Sequence, residues 1–137
     1  MRDLANHLTI RPAISPAAAV TDNTPFVSAI IDLSGFGGVM FAIQTGSLAD
    51  ADATFAALVE HGDAANLSDA AAVPDPQLTG TEAAAGFTFA HDNSTRKIGY
   101  VGAKRYVRLT ITPANNAGNA FVSAQAILAN PRYWPAT

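Results

Sequence analysis

The chain has 137 residues, 49% of them hydrophobic and only 14% charged, with a net charge of −3 and no cysteine. That length suits one domain with a real core, and the missing cysteines exclude a disulfide framework, a Cys-ligated zinc site and a thiol nucleophile. A typical soluble domain is roughly a quarter charged, so a surface this poor in charge points to partial cover by other chains.

In chain order, residues 1–25 read as an extended N-terminal arm. Leu8-Thr9-Ile10-Arg11 suits a short strand, after which Pro12, Pro16, Pro25 and Ala17-Ala18-Ala19 favour an extended path stable only when laid along a sheet edge or a neighbour. Phe26–Leu33 and Val39–Thr45 read as strands joined by the glycine-rich Ser34–Gly38 turn, a hairpin. SGFGG lacks the lysine and following helix of a phosphate loop. Thr54–His61 reads as a strand, and residues 62–86 are irregular, with helical propensity in AANLSDAAAV. Gly86–Ala90 is a short strand and His91–Thr95 a polar turn.

Arg96–Thr112 is the most strand-like stretch. Val107, Leu109 and Ile111 alternate with Tyr106, Arg108, Thr110 and Thr112, the period of two of a half-buried strand. Gly99 and Gly102 mark a bend, a bulge or a tight turn between two short strands. Pro113–Asn119 is a loop, Ala120–Ala129 the last long strand, its small residues suited to close packing, and residues 131–137 an irregular tail. These elements predict an all-β fold: an antiparallel, jelly-roll-like β-sandwich of about seven to nine short strands over residues 26–130.

Charge is distributed unevenly. Between Pro12 and Thr95 lie ten of the eleven acids and no Lys or Arg, whereas six basic residues and no acid follow from Arg96 onward. Such a split either pairs strands within one domain or pairs the acidic face of one subunit with the basic face of the next. In both cases the basic stretch meets protein, and the negative net charge speaks against nucleic acid. No apolar run approaches the roughly 20 residues of a membrane span, and MRDLANHLTI lacks the apolar core of a secretory signal. A soluble protein made in a cytoplasm is expected.

Chemistry-bearing motifs are absent. His7, His61 and His91 have no second ligand at metal-binding spacing and read as surface or turn residues. Asp50, Asp52, Asp63 and Asp69 do not form a calcium-loop pattern, and there is no GxSxG. No enzyme activity, metal or cofactor is expected.

The stretch RKIGYVGAKRYVRLTIT at 96–112 resembles a segment of a family of small tailed-phage virion proteins whose genes usually lie beside that of the major capsid protein. The opening MRDLANHLTIRPAISPAAAV, the segment DLSGFGGVMFAIQTG and the ending AILANPRYWP are similar in the same order, while 46–90 departs through alanine-rich insertions. The resemblance implies a capsid decoration, or cement, protein: a β-sandwich on the outer surface of the virion that bridges neighbouring major capsid subunits, usually as a homotrimer. Leu8, Ile10 and Arg11 of the arm, with Arg96, Lys97, Lys104, Arg105 and Arg108, are the candidate capsid and inter-subunit contacts. The alternatives are a discoidin-like carbohydrate-binding module and another virion component, such as a tail or head-fibre protein.

Overall fold

The computed structural model describes residues 2–137. Among these, the strands are β1 (Leu8–Ile14), β2 (Phe26–Val27), β3 (Ile31–Asp32), β4 (Phe36–Leu48), β5 (Thr54–Gly62), β6 (Ala71–Ala72), β7 (Leu78–Thr79), β8 (Phe87–Thr88), β9 (Thr95–Tyr100), β10 (Tyr106–Ala114) and β11 (Ala120–Pro131). A single α-turn, α1 (Glu82–Ala85), is capped by the Thr81 hydroxyl, which accepts the Ala84 N–H. The strands form two antiparallel sheets, one in the order β1-β11-β4-β9-β7 and the other β2-β10-β5-β6, with β3 also on β10 and β8 on β5. The predicted all-β sandwich is the observed fold.

The long strands follow the period of two. Val107, Leu109 and Ile111 of β10 are wholly buried and meet Phe41 and Ile43 of β4, Ile98 of β9 and Leu128 of β11 in one core. The small inward residues of β11 fit this packing, since Ala126 lies beside Phe41 in register.

The chain changes sheet between most successive strands, and this corrects the expected hairpin. β2 and β3 pair with β10, whereas β4 lies in the other sheet. Two local features divide and redirect the segment. Ser28 Oγ accepts the Leu109 N–H, which interrupts the ladder between β2 and β3. The Asp32 carboxylate then accepts the Ser34 N–H, the Phe36 N–H donates to the Leu33 carbonyl, and Gly35 takes φ +88°, so the chain crosses the sandwich rather than folding back. Gly99 and Gly102 similarly precede a crossing, from β9 to β10, so Arg96–Thr112 is two strands in opposite sheets.

The helical turn falls at α1 instead of within residues 64–73. There the Asp69 carboxylate accepts the Asp63 and Ala64 N–H groups and Leu67 adopts φ +51°, incompatible with a helix. At the N-terminus, Leu8–Ile14 is an edge strand laid antiparallel on β11 and burying Ala13 and Ile14. From Ser15 to Thr24 the chain runs along the rim, joined by the Val20–Ala120 bridge and by Asn116, whose side-chain amide donates to the Val20 and Asp22 carbonyls. The tail packs back on the start: the His7 and Trp134 rings meet edge to face at 4.0 Å, and the Ala136 N–H donates to the Asn6 carbonyl.

Leu109→Ala removes a side chain with no exposed surface at the centre of the core. Chemical denaturation is expected to show a loss of about 2–5 kcal/mol with the fold retained.

Candidate functional site

The two sheets present very different outer faces. On the second sheet, Tyr106, Arg108, Thr110 and Thr112 of β10 point outward opposite Gly62, Glu60, Leu58 and Ala56 of β5. Arg108 and Glu60 are direct cross-strand partners with an N–O distance of 2.9 Å. At one end of the sandwich, Arg105 makes a two-pronged contact with Asp32 at 2.9 and 3.0 Å, and Lys104 reaches Asp63 at 2.6 Å. Arg105 holds the Asp32 carboxyl below its usual range, and the hydrogen bonds to Asp63 and Asp32 push Lys104 and Arg105 upward. The charge split along the sequence is therefore neutralised within the chain at three of the five basic positions of 96–112.

The remaining candidates are placed differently. Arg11 donates to the Asp32 carbonyl at 2.9 Å, and its guanidinium lies 5.5 Å from the Phe36 ring centre. Arg96 points between the sheets, where its Nε is buried without a partner beside Phe55, Phe87 and His91. Leu8, Ile10 and Lys97 come together on the outer face of the first sheet. There Ile10, Ile127, Met40, Gly99 and Thr79 stand side by side across five strands. Leu8, Ala129 and Gly38 form the row on one side of them, and Pro12, Gln125, Ala42 and Lys97 the row on the other. Lys97 is the one charged residue in these rows, and Ile10 is 64% exposed. Gly38 and Gly99 floor a trough of about 470 Å³ walled by Leu8, Met40, Val101 and Ile127.

Sequence reasoning found three residues of this face and missed Gly38, Met40, Ile127 and Ala129. A signal was present: residues 126–129 (AILA) and 39–43 (VMFAI) are apolar on both alternating positions, the pattern of a strand covered on both sides.

The crossing that carries Lys104 and Arg105 is held by a buried polar tie. The Tyr100 hydroxyl accepts the Lys104 backbone N–H at 3.0 Å and lies 2.8 Å from His61 Nδ1. With that N–H arriving, the hydroxyl proton is free to go to His61, whose Nδ1 then accepts. Burial raises the Tyr100 pKa. His61, expected at the surface, is only 8% exposed. Among the described residues no group of His, Asp and Glu is placed to hold a metal ion, and no helix is long and apolar enough to cross a membrane.

No family model and no curated protein matches the sequence. Among solved structures, the chain is similar to VP2 of infectious bursal disease virus, in its subviral particle, at 13% identity and a TM-score of 0.53, over 93% of this chain and 33% of that one. It is also similar to a CBM35 from Paenibacillus barcinonensis at 12% identity and a TM-score of 0.46, over 89% of this chain and 99% of the module. The chain thus spans about a third of VP2. At this identity the likeness to VP2 shows the fold alone.

Two measurements check this geometry. Tyr100→Phe strips the buried tie from both His61 and Lys104, and denaturant titration is expected to show a loss of about 1–3 kcal/mol. For the Arg105–Asp32 pair, a carboxyl lowered in the folded state stabilises above its unfolded value, near pH 3.9, and the benefit disappears as pH falls through the folded value. Wild type should therefore exceed Asp32→Asn by a small, solvent-screened margin at pH 7, and the margin should close below about pH 4.

Proposed function

We propose that this protein is a virion structural component that decorates the outside of a tailed-phage head and cements neighbouring major capsid subunits, acting as a trimer. The observation that carries this reading is the contrast between its two faces. The second sheet presents ion pairs and hydroxyls suited to water. The first presents apolar rows with one cation, a face that needs cover by protein. The resemblance of residues 96–112 to the phage family, and the fold shared with a protein of a virus particle, support the same reading.

Mechanically, such a protein resists head expansion by holding several subunits at once, each contact modest and the set strong. The exposed rim segment Ser15–Thr24 and the apolar face lie on one molecule, which offers two separate places to grip. A sugar-binding role instead calls for aromatic platforms with polar groups beside them. The most exposed rings, Tyr133 and Trp134, lie on the tail, Phe89 and Phe121 are partly exposed and far apart in the chain, and the trough walls are aliphatic.

The test is to add purified protein to heads assembled without it, counting bound copies and recording the temperature at which the heads break. Saturable binding with a raised disruption temperature is expected, together with a trimer by light scattering of the isolated protein. Absence of binding, or glycan-array hits without head binding, would overturn the reading.

A further inference from the structure

The apolar trough on the first sheet has a chemical asymmetry that identifies what fits it. Its floor is glycine: a Cβ on Gly38 would find its nearest neighbour, the Tyr100 carbonyl oxygen, at 3.7 Å, so the space above is open by absence of a side chain rather than by backbone strain. Gly99 stands beside Met40 in the next strand, where a Cβ would press on Thr79 at 3.1 Å. The volume of about 470 Å³ lies within the range of small-ligand clefts and accepts a large aliphatic or aromatic side chain.

Lys97 lies at the margin, opposite Ala42 in the ladder. Among the described residues it pairs with no carboxylate, whereas Lys104, Arg105 and Arg108 each have one. A lone ammonium beside an apolar surface rejects a purely apolar occupant, because cover would desolvate the charge without a partner. It equally rejects a basic one. A second copy docked through the same face would bring another Lys97 and no acid, since none stands in these rows.

We infer that the trough binds a segment of the partner in which a large apolar side chain stands next to an Asp or Glu, the apolar group seated over Gly38 and Gly99 and the carboxylate paired with Lys97. This rests on the decoration reading and names the capsid chemistry that it meets. The charge steers and orients the segment, while burial of the apolar side chain holds it.

The experiment measures binding of wild type, Lys97→Glu and Gly38→Leu to heads assembled without the protein, with circular dichroism to verify each fold. It then applies a zero-length carbodiimide cross-linker to the decorated wild-type heads and identifies the Lys97 adduct by mass spectrometry. Each variant is expected to bind on the order of tenfold more weakly or worse. The Lys97 adduct should be an amide to an Asp or Glu of the capsid subunit with a large apolar neighbour. Wild type that binds normally while folded Lys97→Glu binds equally well would overturn the inference and leave the decoration reading standing, and Lys97→Glu decides the matter if Gly38→Leu fails to fold. An adduct to a second copy of this chain, or to a carboxylate without an apolar neighbour, would overturn the assigned occupant. Wild type that does not bind heads removes both.

Discussion

The Tyr100 hydroxyl is the polar point on which the ends of the two sheets depend. Tyr100 closes β9 in the first sheet, His61 belongs to β5 in the second, and Lys104 lies in the crossing that leads into β10. One hydroxyl therefore links three segments that no single ladder connects. Tyr100 and His61 are both buried, so an unmet partner at that hydroxyl is costly. Gly102 is part of this constraint, because any Cβ there would collide with the Tyr100 ring and hydroxyl. With the crossing fixed, Lys104 and Arg105 meet Asp63 and Asp32 at the surface, and β10 enters the sheet with Val107, Leu109 and Ile111 inward.

That arrangement explains the uneven charge of the sequence. Strands of opposite charge are far apart in the chain but adjacent in the second sheet: Glu60 of β5 faces Arg108 of β10, and Asp32 of β3 faces Tyr106 with Arg105 beside it. Alternation between sheets places acidic early strands against basic late ones. The consequence is a second-sheet face that meets its own charges, and a first-sheet face to which the sequence contributes almost none.

The extent to which this was legible in the sequence follows from range. The inward face of β10 was readable because alternation is local, and so were the all-β class and the approximate positions of β5 and β11. Which sheet a strand joins is decided by partners distant in sequence. The Ser34–Gly38 segment accordingly resembled a hairpin turn although it carries the chain across the sandwich, and Leu8–Arg11, readable as a short strand in need of a sheet edge or a neighbour, finds that edge on β11 of its own chain. His61 was misplaced for the same reason: its partner lies 39 residues away. The apolar outer face of the first sheet was half legible. Leu8, Ile10 and Lys97 stood out by composition, whereas Met40 and Ile127 become neighbours only through the registers of β4 and β11.

The apolar face also bears on stability. A sandwich with one face left uncovered forgoes burial that its composition supplies, and its short β6 and β7 edges add little ladder. Any partner that covers the first sheet binds only the folded chain, since the rows formed by Ile10, Ile127 and Met40 exist only when β1, β11 and β4 are in register. Association must then stabilise the fold by mass action, and the fold in turn presents the face that associates. The two glycines beneath the trough differ in what their own chain demands of them. Gly38 has room for a side chain, so packing within the chain does not require glycine there, whereas a Cβ on Gly99 would press on Thr79 at 3.1 Å and is disfavoured by the chain's own packing.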